Sequence, residues 1–266
     1  SRAGACADGL LEEMGWELSQ SWNRPYAWPL QSAWQCLFLR SRAPYGQMWH
    51  LNGFYTKVNH EAFSYSMFAN GIAPGVVTGG NWEFMKEIWK KVGACERELD
   101  GASLAPYAAL HFSEKTLAWY ANARGKDIRD AYLLNVFGFF QALLETHLPV
   151  AIVTDDDLSD GAALGKFAVL VLPNSACIDE RQAAALAAYV SGGGGLVASF
   201  ETGMYDGNGP RREPPVLQDL FGVRQEKARE NGGWRLDTEG QVHELVRFPE
   251  LTNGGDPGQG SRDRKP

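Results

Sequence analysis

The sequence predicts an α/β protein built on an open, all-parallel, flavodoxin-like sheet, and three observations carry that expectation. Residues 167–172, FAVLVL, form an unbroken apolar run, as a central strand covered by helices on both faces requires. Comparable short runs recur at 107–112, 150–154 and 196–200. The stretches between them are amphipathic and too long for hairpins, so successive strands return in the same direction through helical crossovers.

Taken in order, the first forty residues contain WNRPYAWP at 22–29, where two prolines oppose continuous helix or central strand; a long loop with short helical pieces is expected. From Gln47 the texture changes. Apolar runs at 48–51 and 72–78 alternate with amphipathic stretches at 61–69 and 82–99. In the last of these, Met85, Ile88, Trp89, Val92, Cys95 and Leu99 recur at helical spacing, which predicts one helix and, with the rest, two strand–helix units.

A polar break, DGAS at 100–103, precedes the second alternation. Residues 107–112 read as a strand, 127–147 as a long helix and 150–154 as the next strand. In the helix Tyr132, Val136, Phe139, Phe140, Leu143 and His147 share one face, widened by Leu133, Phe137 and Leu144. After Pro173 closes the central run, Asp179 stands three residues before Gln182 as a capping-box pair, and the alanine-rich run 183–190 propagates the helix. Glycines 192–195 end it, and 196–200 is the next strand. Residues 201–210 are turn chemistry, 216–221 a short helix stopped by Gly222, and 223–251 hold one or two edge strands. Residues 253–266 lack apolar side chains and are expected to be disordered.

The chain has 266 residues and 44% hydrophobic content, enough for about two domains at roughly 150 residues each. With 25 Lys plus Arg against 32 Asp plus Glu the net charge is −7, which disfavours nucleic acid as a partner. No apolar run reaches the roughly 18 residues of a membrane span, and the first twenty residues are acidic rather than basic-then-apolar. Neither a membrane anchor nor a signal peptide is expected, and the cytoplasm is the expected compartment. The four cysteines, Cys6, Cys36, Cys95 and Cys177, form no CxxC pair, so they read as reduced thiols rather than a metal site; no metal and no cofactor are expected.

Several motifs invite chemistry. The glycine run 192–195 follows a helix and precedes a strand, the reverse of a phosphate loop, and reads as a C-cap. Cys177 follows a central strand but lacks the glycine-flanked turn and the histidine of a nucleophile elbow; His147 and His243 have no acidic companion at a telling spacing. Asp155, Asp156 and Asp157 read as a solvated loop, with Asp157 or Ser159 capping the next turn. Ligands of open parallel sheets bind beyond the carboxyl ends of the strands. There the sequence places Ser113 and Glu114, then Asp155, then Asn174 and Ser175, then Glu201 and Thr202. Glu114, Asn174 and Glu201 are therefore candidate ligand-facing residues, as are His50, Asn52 and Glu83 after the earlier runs, with Trp49 as stacking surface beside them.

Across residues 110–223 the segments HFSEKT, RDAYLLNVFGFFQALLETHLPVAIVTDDDL, FAVLVLPNSACIDERQAAALAAYVSGGGGLVASFETGMYDGNG and LQDLFGV resemble the beta-galactosidase trimerisation domain, the middle domain of glycoside hydrolase family 42. The resemblance implies a class I glutamine amidotransferase-like fold without its nucleophile, in keeping with the missing elbow at Cys177. Residues 46–101 are similar to the last strands and helices of the catalytic (β/α)8 barrel in related glycosidases. The implied organisation is 1–102 as the C-terminal part of a barrel, 103–252 as the trimerisation-like domain and 253–266 as a tail.

In that family the barrel performs the sugar chemistry, and the amidotransferase-like domain assembles a homotrimer, closing the site from a neighbouring subunit in some members. A whole barrel takes about 250 residues and glycoside hydrolysis needs two flanking carboxylates. The late-strand position after Trp49 carries His50 and Asn52 instead of Glu, and Glu83 is not at the usual nucleophile position. The resemblance thus implies a carbohydrate-active protein with no identifiable catalytic pair, inactive alone. A noncatalytic oligomerisation or ligand-binding module is the alternative.

Overall fold

The computed structural model describes residues 9–14, 27–42, 45–50, 57–74, 82–99, 102 and 105–222, all within the compact unit Ser1–Glu226. The expected edge strands at 223–251, the tail and Asn52 lie outside the described residues.

The first part alternates strand and helix: β1 (Gly9–Met14), α1 (Ala27–Arg42), β2 (Tyr45–His50), α2 (Lys57–Ala69), β3 (Ala73–Pro74), α3 (Trp82–Gly93) and α4 (Glu96–Leu99). The three strands form a parallel sheet in the order β1-β2-β3, with Gly9 opposite Tyr45 and Gln47 opposite Ala73. These are parallel strand–helix units of the kind expected for this part of the chain. Two expectations are corrected. The loop assigned to the first forty residues contains a strand and a 16-residue helix. Pro29 is compatible with α1 because it falls in the first turn, where backbone N–H groups have no helical acceptor to lose. The single helix expected over 82–99 is broken after Gly93, and Ala94 and Cys95 form a turn.

The second part follows the expected alternation closely. It comprises β4 (Ala108–Phe112), α5 (Lys126–Glu145), β5 (Val150–Thr154), α6 (Asp155–Leu158), α7 (Gly161–Leu164), β6 (Val169–Leu172), α8 (Glu180–Ser191), β7 (Gly195–Ala198) and α9 (Gln218–Phe221). A π-helical turn, Thr116–Ala121, follows β4. The four strands are all parallel in the order β5-β4-β6-β7.

Because side chains alternate across a strand, Leu110, Ile152 and Val171 join one apolar layer, while Ala109, Val153, Leu170 and Leu172 join the other. The first layer is closed by Tyr132, Val136 and Phe140 of α5 and by Ala33, Trp34 and Leu37 of α1. Trp34 is 8% exposed and meets Phe112, Phe137 and Phe140 edge-on, with ring centroids 5.6, 5.2 and 5.2 Å away. An element from the first part of the chain is therefore built into the core of the second. At its end, Arg42 pairs with Asp157 at 2.5 Å.

The opposite layer packs Leu186 and Tyr189 of α8 with Leu158, Leu164 and Ile178. The capping box of Asp179 and Gln182 starts α8 as expected, with Gln182 N donating to Asp179 Oδ1 at 2.9 Å. Gly192 caps its end. Gly194 is required by close approach, since a Cβ there would meet the Tyr189 ring at 2.2 Å.

Candidate functional site

The carboxyl ends of β4, β5 and β6 converge on a buried polar knot centred on Asp155. Its Oδ1 accepts from Ser113 Oγ at 2.9 Å, its Oδ2 from Lys115 N at 2.9 Å, and its carbonyl from Gln182 Nε2 at 3.0 Å. Thr116 N donates in turn to Ser113 Oγ at 2.9 Å. His111, fully buried in β4, places Nδ1 2.8 Å from Ser175 Oγ. Its Nε2 lies 3.4 Å from Asp155 Oδ1 without hydrogen-bond geometry, so the hydroxyl and amide are the firmer hold on the carboxylate. Burial pushes the Asp155 carboxyl up, but His111, the Lys115 amide and the Ser113 hydroxyl outweigh it and bring it down to about 2.

The local sequence explains the knot. Thr154 caps α6 through a capping box in which Asp157 Oδ2 accepts from Thr154 N at 2.8 Å. The triple aspartate is therefore helical, not the loop expected, and Asp157 serves as the third helical residue of the box rather than as the cap. The next turn is capped by Asp160 instead of Asp157 or Ser159. Capping turns one acidic side chain back to the backbone and leaves Asp155 facing inward.

Serine, histidine and aspartate here have the composition of a hydrolytic triad but not its access. Ser175, His111 and Ser113 are fully buried, so no substrate reaches the hydroxyl. Cys177 is also fully buried, and its amide donates to Thr116 Oγ1 at 3.0 Å. Burial first, and then the Asp155 charge, push its thiol up to about 11, the reverse of an activated nucleophile.

A second knot lies beyond β6 and β7. Glu201 Oε2 accepts from Tyr120 Oη at 2.7 Å and faces Arg124 Nη1 and Tyr205 Oη at 3.5 Å each. The Arg124 guanidinium lies 4.4 Å over the Tyr120 ring and 4.8 Å over that of Tyr205, and hydrogen-bonds the Tyr205 hydroxyl. Burial and the Glu201 carboxylate push the Tyr120 hydroxyl well above its ordinary value. Asn174, two residues after β6, has φ of +45°, and its buried Oδ1 has no partner among the described residues.

Of the residues singled out from sequence, Asn174 and Glu201 are thus brought to the same end of the second sheet. Glu114 is exposed just beyond β4. Glu83 is exposed in the first turn of α3, and Trp49 and His50 end β2. His111, Tyr120, Arg124 and Tyr205 were missed by sequence reasoning. A lone histidine inside AALHF and the four-residue spacing of Tyr120 and Arg124 were the available signals.

The family model of the beta-galactosidase trimerisation domain matches residues 105–233. No curated protein matches the chain in sequence. Among solved structures, the catalytic mutant of a GH42 beta-galactosidase from G. stearothermophilus is similar over 85% of this chain and 38% of its own, with TM-score 0.66 and 14% identity. The cold-adapted beta-galactosidase from Rahnella sp. R3 covers the same shares, with TM-score 0.62 and 13% identity. That from Bacillus circulans sp. alkalophilus covers 77% and 35%, with TM-score 0.62 and 16% identity. The chain spans less than two fifths of the length of these three enzymes. Both the first part and the parallel second sheet share their fold, and residues 105–233 match the model of the beta-galactosidase trimerisation domain family.

Proposed function

We propose that the chain is the assembly part of a carbohydrate-active protein of the beta-galactosidase type, joining the final strand–helix units of a barrel, 1–102, to a homotrimer-forming domain, 103–252. The family match over residues 105–233 carries this reading. The sealed strand ends support it, because Ser175, His111 and Cys177 are kept out of solvent at the place where such sheets bind ligands.

Sugar hydrolysis belongs to a complete barrel. Trp49, His50, Asn52 and Glu83 are the residues of this chain proposed to face a sugar in one, with Glu114, Asn174 and Glu201 as ligand-facing candidates on the assembly domain. We place the protein in the cytoplasm, a compartment that suits the reduced thiols of Cys95 and Cys177 among the described residues. Among the described residues no helix is long and apolar enough to cross a membrane.

Sedimentation equilibrium of the chain tests the assembly role. Particles of three 29.3 kDa chains are expected, and a monomer throughout the concentration range would overturn it.

A further inference from the structure

Apart from the two knots, a cavity of about 580 Å3 opens beside the start of α8, between Asp179, Glu180 and Arg181 on one side and the loop carrying Asp206, Pro210, Arg211 and Arg212 on the other. It follows β6, at the end of a parallel sheet where ligands are habitually bound. Its six charged lining residues are three carboxylates and three arginines, but the two sets are not equally engaged.

Each carboxylate already has fixed partners. Asp179 accepts from Lys115 Nζ at 2.6 Å and from Gln182 N at 2.9 Å. Asp206 accepts from Arg212 Nη2 at 2.6 Å and from Gly207 N at 2.6 Å. Glu180 takes the other end of the Arg212 fork. Donors are left over. Arg181 and Arg211 are exposed and have no side-chain ion pair among the described residues, and Arg212 Nε is buried without a partner. Arg212 pins both walls at once, so the cavity is preformed around unspent guanidinium groups.

We infer that this cavity is a binding site for a small molecule bearing an oxyanion group, held by the exposed guanidinium groups of Arg181 and Arg211, with Arg212 bracing the two walls. Planar guanidinium forks match phosphate and carboxylate oxygens in pairs, and this charge-assisted geometry is the strongest hydrogen bonding available to a surface site. The cavity is shallow and open to solvent, so it can hold the anionic end of a larger ligand whose remainder extends outward. The chain's overall charge of −7 makes such a patch a local feature rather than a general attraction for anions.

The test is a titration of the full chain, labelled with 15N, by inorganic phosphate and separately by citrate, with sodium chloride holding the ionic strength constant. Saturable shifts of arginine Nε–H signals are expected. In the R181A/R211A double variant the affinity is expected to fall at least about tenfold, equivalent to about 1.4 kcal/mol. Both side chains are exposed, so the melting temperature should stay at the wild-type value and exclude misfolding as the cause. A stronger response to phosphate assigns a phosphate ester as ligand, and a stronger response to citrate assigns a carboxylate. Shifts equal to those from chloride alone, no saturation with either anion, or undiminished affinity in the double variant would overturn the site.

Discussion

Two polar knots sit at the same end of one sheet and are finished differently. Around Asp155, both carboxylate oxygens and the neighbouring carbonyl have amide or hydroxyl donors, and the surrounding side chains are sealed from water. Around Glu201, the cation is an arginine whose side chain remains 41% exposed, and Asn174 Oδ1 is left without a partner among the described residues. The first is part of the frame, because a buried charge is tolerable only when donors replace the water it lost. The second buries its carboxylate as deeply but leaves its cation at the surface, where solvent screens the pair.

The sharpest way to break this contrast is D155A. It strands the Ser113 hydroxyl and Lys115 N while Gln182 keeps the residue's backbone carbonyl, and should cost about 3 kcal/mol in the free energy of urea unfolding. A loss below 1 kcal/mol, within the range of an ordinary surface change, would erase the distinction.

The pH dependence has a definite sign. The folded Asp155 carboxyl titrates near 2, below its ordinary 3.8, so its contribution is complete above about pH 4 and disappears as pH falls toward 2. That contribution is on the order of 2 kcal/mol, and acid unfolding monitored by circular dichroism should lose the corresponding slope in D155N. A wild-type acid transition unchanged in D155N would assign it to other carboxylates.

The smallest effect belongs to the open knot. E201Q keeps an acceptor for Tyr120 and removes only the charge facing a half-exposed Arg124, so a cost of about 1 kcal/mol is expected in the same unfolding assay. A cost equal to that of D155A would show that Glu201 is as deeply framed as Asp155.

The second sheet was legible because its strands are apolar on both faces and its crossovers follow helical periodicity. FAVLVL, the alanine-rich helix and the Asp179–Gln182 cap all took their expected places. The first forty residues were misread because proline opposes a helix only past its first turn, and sequence does not mark which residue begins the helix. The role of Trp34 was equally hidden, since its partners Phe112, Phe137 and Phe140 lie 78 to 106 positions away. Strand-end polarity identified Asn174, Ser175, Asp155 and Glu201 as a group, but not that Ser175 and Asp155 face inward. That orientation depends on the Thr154–Asp157 cap and on a histidine whose alternation points it beneath the loops.

The central claim is that the strand ends are closed and structural, and Cys177 reports on it most directly. Iodoacetamide labelling of the native chain, resolved peptide by peptide, should modify exposed Cys95 rapidly. Cys177, buried and with its thiol pushed up to about 11, should be modified only as fast as the chain unfolds, with the same urea dependence. Labelling of Cys177 in the folded chain at the rate of Cys95 would contradict the account.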